Sequence, residues 1–589
     1  MAVKSVGDGV TVAHPSTLRV TDGTTRRARA GGRRARGAAP PLSELDAVIA
    51  ALGEADVEVV KRLDITPAPL PRARRGESRR ARAPIGTQDV EVSVQLAPNE
   101  DAVILVVQDD EYHWELPDGT TIGARRQARA RASEGGRRRP RTVTFRVAVR
   151  PPAEPPPARR ARGAGAPSRR ARGIFGKAIA LVLKFARRVV GELVIKQLEK
   201  KVKPGLVRVS SNDPESWDTL KDTDQLPMPA DRPARVLLLV HGTFSSTVGS
   251  FSGLRHTPEG LAFLDAAMAH YDLILGYDHR SLSDVPADNA KQIVDRLARI
   301  RWNQPPEIDS IGYSRGGLVL RTMLERTAAG SALQANFGRA VFIACTNGGT
   351  LLAEPENWGK LVDVYTNLAA AATRGLVFVP QARAVATVLT VTIKGIGLLV
   401  KYLASFIIDG GGVPGLSAME PDGDVVTSLN ARARPETLAS EYLAVTNDYE
   451  PSKAEQDGSA ALLPPSLRQK LSDGLVDRLM GEANDLVVNT KAMTTVGSGE
   501  FPGRVFALGA NGRTIHTTYF RDARVVAQLG AWLLDGAQPR ERGMARRRAT
   551  TRKGRAKRSA AKGSAKRAPR KTAKRAAKGS SKRAAASRR

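Results

Sequence analysis

The chain has 589 residues, and its 92 Lys and Arg against 59 Asp and Glu give a formal net charge of +33. That length predicts several domains, and a single cysteine, Cys345, excludes an intramolecular disulfide framework. Residues 1–20 have no apolar stretch of the kind a secretory leader needs, so the expected compartment is the reducing cytoplasm, with nucleoid or membrane-surface association left open by the basic segments.

Residues 1–85 read as a basic, low-complexity region with one helix near 42–62. Arg-Arg-Ala-Arg recurs at 26–29, 33–36, 79–82, 159–162 and 169–172, at spacings too irregular for a solenoid or propeller blade. These units sit in Gly/Pro/Ala-rich stretches and read as linkers or loop insertions. Residues 88–96 alternate polar and apolar, as a half-buried strand does. Further strands are expected at 102–107, 111–115 and 142–149, so residues 86–150 predict a small antiparallel β-rich, sandwich-like module. His113 and Trp114 are expected in its core or at its edge, not as ligands. A Pro/Arg linker (151–173) leads to a basic amphipathic helix at 174–201 and a connector through 234. That helix either packs on the following domain, the simpler reading, or lies on a membrane surface.

Residues 236–240, Val-Leu-Leu-Leu-Val, form an apolar run of buried-strand length and enter His241-Gly242-Thr243-Phe244 directly. Residues 308–321 place Gly312-Tyr313-Ser314-Arg315-Gly316 between a second apolar run and a helical pattern. A strand that ends, turns sharply through a serine and starts a helix at once is the setting of a nucleophile elbow. Glycines flank the serine because the tight turn has no room for side chains. The helix N-terminus aims free N–H groups at an oxyanion formed beside Ser314.

Across roughly residues 235–537 these motifs resemble the α/β-hydrolase fold, in particular bacterial lipases and esterases. The resemblance implies an α/β class: a hydrolase core with a helical cap insertion, preceded by the β-rich module and followed by a disordered polybasic tail. It also implies an oxyanion hole in which the N–H of Thr243 or Phe244 pairs with that of Arg315, while His241 and Gly242 shape the turn. Ala344-Cys345-Thr346-Asn347-Gly348-Gly349-Thr350 resembles a turn that lipases carry after the next strand, except for Cys345 and the lack of proline. The fold's triad runs Ser, then Asp or Glu, then His. Of the seven histidines only His516 follows Ser314, which makes it the candidate base. For the acid, Asp485 in Asn484-Asp485-Leu486-Val487-Val488 is favoured because it resembles the Asp-x-Val-Val segment of lid-bearing lipases. Asp448, after the strand-like 442–446, is the alternative, and Asp424 in a similar Asp-Val-Val context comes third.

Between the strands at 339–344 and near 442 lies a cap insertion, about 351–440. Its apolar stretch 384–408 is long enough to span a bilayer. Lys394 and Lys401 oppose that, since each costs about 2.5–3.5 kcal/mol near the centre of a membrane helix. One or two buried cap helices walling an acyl pocket are expected instead, with a hinge at 411–416. Residues 235–537 hold 27 Lys/Arg and 30 Asp/Glu, so the positive excess lies elsewhere. Residues 542–589 hold 21 Lys/Arg and no acid, a composition that cannot bury a core. The tail, 538–589, resembles histone-H1-like bacterial tails and suits non-specific binding to nucleic acid or an anionic surface. No metal or cofactor signature is present: there is no His-Glu-x-x-His, no clustered His/Cys, no phosphate-cradling glycine loop. The expected activity is hydrolysis of carboxylic esters through a Ser-His-Asp triad and an acyl-enzyme, on a small-molecule or lipid-like substrate. An amidase or peptidase using the same triad, or a non-catalytic scaffold whose tail binds nucleic acid, are the alternatives.

Overall fold

The computed structural model describes residues 1–23, 44–68, 87–118, 140–150, 177–186, 199, 202–221, 226–374, 382–405, 413–431, 440–454, 463, 480 and 482–534, all within the unit Met1–Arg540. The five Arg-Arg-Ala-Arg units, the linker 151–173 and the tail 538–589 lie outside the described residues.

The N-terminal part builds strands β1 (Ala2–Gly7), β2 (Val10–His14), β3 (Leu18–Asp22), β4 (Glu58–Pro67), β5 (Gln88–Leu96), β6 (Glu100–Gln108), β7 (Glu111–Glu115), β8 (Arg141–Val149) and β9 (Ala178–Ala186), with helix α1 (Glu44–Glu54) between β3 and β4. They form two antiparallel sheets, ordered β1-β2-β5-β8 and β3-β4-β9-β6-β7. Period-two alternation aims Val90, Val92 and Val94 of β5 at Ile65 of β4 and Val182 of β9, so the two sheets share one core. The second sheet is covered on its other face too, by α1 and by helices of the C-terminal part, through Val103, Leu105, Leu181 and Leu183.

Three expectations are corrected here. Residues 1–22 hold three strands, not low-complexity chain, and the helix expected over 42–62 stops at Glu54 before β4. The module is therefore larger than 86–150. Residues 178–186 of the expected amphipathic helix are a central strand, paired with β4 and β6. Burial on both faces removes the alternation that marks a strand, and an unbroken apolar run cannot be told from a buried helix by period alone.

The C-terminal part is a mixed α/β unit around one eight-stranded sheet, ordered β11-β10-β13-β12-β14-β15-β16-β17. Its strands are β10 (Gly205–Arg208), β11 (Asp218–Thr219), β12 (Arg235–Val240), β13 (Leu273–Asp278), β14 (Glu307–Tyr313), β15 (Asn336–Ile343), β16 (Glu441–Tyr449) and β17 (Gly503–Asn511). The run from β13 to β17 is parallel and β10 joins it antiparallel, so the sheet begins at Gly205 and not at 235. From β12 the chain crosses to β13 on one side and later returns to β14 on the other. The carboxyl ends of β12 and β14 thus flank a topological switch point, where open α/β sheets place their sites.

Helices α2 (Thr247–Phe251), α3 (Pro258–His270), α4 (Pro286–Arg299) and α5 (Gly316–Thr322) follow the first strands. The Thr257 hydroxyl accepts from the Gly260 N–H at 3.0 Å and Pro258 opens α3, a start encoded locally. Between β15 and β16 lie α6 (Trp358–Arg374), α7 (Ala382–Ser405), α8 (Pro414–Ser417) and α9 (Asp424–Asn430); α10 (Thr490–Met493) and α11 (Ala523–Leu533) complete the chain. The apolar stretch 384–408 falls largely on the single helix α7, and no helix among the described residues is long and apolar enough to cross a membrane. Its two lysines face α1: Lys401 donates to the Ala55 carbonyl at 2.5 Å and Lys394 pairs with Glu54 at 2.5 Å. Residues 411–412 of the expected hinge, 411–416, lie outside the described residues.

Helix α6 binds the edge of β7 through side chains on one face. Asp363 accepts from the Trp114 N–H at 2.8 Å, and Asn367 accepts from the Tyr112 N–H at 3.0 Å while donating to its carbonyl at 2.7 Å. Trp114 donates its indole N–H to Thr366 at 2.9 Å, and His113 pairs with Asp363. Burial works against charge on His113, but hydrogen bonds to Asp363 and Glu115 prevail and push it up to about 10. Because the folded value lies above the unfolded one of about 6.5, this stabilisation is complete below about pH 6.5 and is lost as pH rises toward 10. Thermal unfolding followed from pH 6 to 10 should show Tm falling across that window, and falling less in His113→Gln; equal slopes in the two proteins would refute the pair's contribution.

Candidate active site

Strand β14 delivers Ser314 at its carboxyl end with φ of 55°, the left-handed region that a non-glycine residue enters only under constraint. The crowding that imposes this turn is measurable. A Cβ added to Gly316 would lie 2.2 Å from the Val240 carbonyl oxygen, and one added to Gly242 would lie 2.7 Å from the Ser314 Cβ. The flanking glycines therefore let the β12 turn close directly onto the elbow. Gly312 is less extreme, at 3.1 Å from the Gly316 oxygen.

Three side chains predicted from sequence meet here. His516 Nε2 lies 3.0 Å from Ser314 Oγ, and its Nδ1 lies 2.8 Å from Asp485 Oδ2. All three are buried, at 2%, 1% and 0% exposure for Ser314, His516 and Asp485. Asp485 sits in the loop between β16 and β17, where its Oδ1 accepts from the N–H groups of Val487 at 3.1 Å and Val488 at 2.9 Å. The His516 N–H in turn donates to the Asp485 carbonyl at 3.0 Å, tying the two loops together. Of the other two candidate acids, Asp448 stands in the β16–β17 ladder opposite Ala510, and Asp424 opens α9.

Phe244 also has positive φ, 54°, and its N–H donates to Ser281 Oγ at 3.1 Å, so it is engaged elsewhere. The N–H groups of Thr243 and Arg315 have no acceptor among the described hydrogen bonds. His241 is a turn residue. Its Nδ1–H donates to the Gly242 carbonyl at 2.8 Å, its Nε2 accepts from the His279 N–H at 3.1 Å, and its ring stacks on that of His279 at 3.8 Å. Burial lowers the pKa of both imidazoles, keeping them neutral.

Several contributors escape a sequence reading because they come from distant segments. The Arg315 side chain is fully buried, donating to Asn289 at 2.9 Å and to the Gly415 and Asp284 carbonyls. Burial pushes it down to about 10, against the pull of Glu199 and Asp284. Glu199, buried and raised in pKa by that burial, accepts from the N–H groups of Ser281 at 3.1 Å, Leu282 at 3.0 Å and Ser283 at 2.7 Å. That clamp fixes the loop whose Ser281 holds Phe244. Asn447 braces the loop that carries His516: it donates to the Thr514 carbonyl at 2.6 Å and accepts from Asn511 at 2.6 Å. Tyr365 of α6 sets its ring edge-on to His516 at 6.2 Å and to Phe244 at 5.1 Å, with its hydroxyl toward Ser314. Cys345 lies behind the elbow with its thiol on the Gly312 carbonyl at 3.2 Å, and burial raises its pKa, so it is a packing residue. Among the described residues no cluster of three or more His, Cys, Asp or Glu is placed to hold a metal.

The chain belongs to the family described as Domain of unknown function (DUF7379), whose model matches residues 204–534. A second family model, Domain of unknown function (DUF7362), matches residues 7–185, in agreement with the two-sheet N-terminal part. No curated protein matches the chain significantly. Among solved structures it is similar to phospholipase PlaB from Legionella pneumophila, at 14% identity over 44% of this chain and 46% of that one, with a TM-score of 0.26. The Bacillus licheniformis lipase BlEst2 in propeptide form gives 13% identity, 52% and 51% coverage and a TM-score of 0.29. Lipase 1 from Pelosinus fermentans gives 13%, 51% and 100%, and 0.29. The chain spans about half the length of the first two. These likenesses are slight, and the chemistry of the site stands on its own geometry.

Proposed function

We propose that the chain is a serine hydrolase of carboxylic esters, of the α/β-hydrolase fold, acting through a Ser314–His516–Asp485 triad. The observation that carries this reading is the unbroken relay, 3.0 Å from Ser314 to His516 and 2.8 Å from His516 to Asp485, inside a buried elbow. His516 takes the Ser314 proton as Oγ attacks the ester carbonyl, and Asp485 holds the Nδ1–H tautomer and balances the imidazolium. The Thr243 and Arg315 N–H groups receive the oxyanion, each such donor being worth about 3–4 kcal/mol of barrier. His516 returns the proton to the leaving alcohol, and water then cleaves the acyl-enzyme by the same steps in reverse order.

Tyr365 of α6 reaches Ser314 with its hydroxyl and packs its ring on Phe244, against which Gly395 of α7 sits; this surround favours an apolar acyl chain and makes α6 and α7 the cap that shifts to admit it. The test is to treat the purified full chain with a fluorophosphonate, map the adduct by mass spectrometry, and assay p-nitrophenyl esters of short and long acyl chains beside matching anilides. One adduct on the Ser314 peptide with faster turnover of the longer esters is expected. Absence of any adduct would sink the reading, and faster anilide turnover would move it to an amidase.

A further inference from the structure

We propose that Tyr519 is a positioning residue of this relay, sharing with His516 the single carboxylate oxygen of Asp485 that faces the imidazole; the inference rests on the hydrolase reading above. Asp485 Oδ2 accepts from His516 Nδ1–H at 2.8 Å and from the Tyr519 hydroxyl at 2.9 Å, while Oδ1 is taken up by the two valine N–H groups. Tyr519 is 1% exposed, and its other polar neighbour is the weakly accepting Met493 sulfur at 3.9 Å. A buried phenol without its acceptor would bear the full desolvation cost, so its direction is fixed. Burial, and then the adjacent Asp485 charge, raise its pKa, so it stays a donor across the working range.

Its placement is local. Ile515 N–H donates to Thr518 Oγ1 at 3.0 Å and Thr518 N–H returns to the Ile515 carbonyl at 2.9 Å, closing one turn that holds His516 and leads directly into Tyr519. Base and phenol therefore converge on the acid as a unit. Among the described residues, the other titratable groups around His516 are Ser314 and Tyr313 from the β14 end, Tyr365 from α6 and Asp485 itself, with Cys345 beyond.

The chemical consequence follows from sharing one acceptor. A second donor on Oδ2 withdraws negative charge from the oxygen that stabilises the imidazolium. In a site this dry, an undivided carboxylate would hold the imidazolium more firmly. Tyr519 tempers that attraction and fixes the carboxylate plane.

The test is the pH profile of kcat and kcat/KM for the full chain on an ester it turns over. In Tyr519→Phe the acid limb is expected to move up by about half a pH unit, with kcat at the plateau falling several-fold and KM unchanged. Replacing Tyr519 by 3-fluorotyrosine, a stronger donor of almost the same shape, should move the limb the other way; if the Phe variant does not fold, this one decides alone. A limb that stays put with either replacement, at unchanged turnover, overturns the proposal and leaves Tyr519 as core packing. Wild type with no turnover and no Ser314 adduct would instead overturn the hydrolase reading, and this inference with it.

Discussion

Asp485→Asn is expected to lower kcat by about 10⁴-fold, while Asp448→Asn stays within about threefold of wild type. The asymmetry comes from how the carboxylate is held. Oδ1 accepts two backbone N–H groups and Oδ2 accepts the imidazole and the Tyr519 hydroxyl, so all four contacts need acceptor oxygens. An asparagine has one such oxygen. Keeping it on the Val487 and Val488 amides, which cannot rotate away, turns the NH2 group toward His516 Nδ1. The imidazole then carries its proton on Nε2, facing Ser314, and cannot take another. The folded structure survives while the base is lost. Asp448, in the strand ladder opposite Ala510, has no part in that tautomer. Steady-state kinetics of the two variants decide the matter: a silent Asp485→Asn with a dead Asp448→Asn would transfer the role of acid to Asp448.

The second large effect is on stability. Gly316→Ala should cost about 3 kcal/mol or more, because its Cβ would sit 2.2 Å from the Val240 oxygen and 2.7 Å from that of His241. Neither oxygen can yield. Val240 ends β12, paired on both sides in the middle of the sheet, and His241 is locked between Gly242 and His279. Relief comes only by pushing the elbow away from the β12 turn, which separates the Ser314 oxygen from the Thr243 amide, so activity should fall with stability. Gly330→Ala is the control, since nothing lies within 4 Å of its added Cβ. Denaturant titration of both, beside wild type, measures the difference, and equal midpoints would contradict the close approach.

The residues now brought together at the site were legible where the chemistry is local. The elbow is five consecutive residues, the oxyanion turn follows its strand directly, and His516 stands alone downstream of Ser314. A short motif favours Asp485 over Asp448, and it is Asp485 whose carboxylate lies 2.8 Å from His516 Nδ1. What stayed hidden is what tertiary contact creates. Tyr365 and Glu199 look like ordinary helix residues, and Asn447 like the end of a strand, until the fold brings them to the site. The N-terminal sheets were under-read for two physical reasons. Arg-rich insertions between short strands swamp the composition of residues 1–85, and β9, apolar on both faces, lacks the alternation that would have identified it.

The docking of β7 on α6 also bears on the order in which this chain can fold. Tyr112 and Asn367, which exchange two hydrogen bonds, are 255 residues apart, and Trp114 meets Thr366 over 252. Synthesis runs from the N-terminus, so the β6–β7–β9 face leaves the ribosome with α1 but before α6 and α7, which complete its cover, exist. During that interval Leu181, Leu183 and the β7 backbone edge are open to water, to other chains and to chaperones. Closure of such long loops is slow, which makes assembly of α6 and α7 onto the waiting sheet the late step. The surface that ends up steadying α6 is, on the way there, the one most exposed to aggregation.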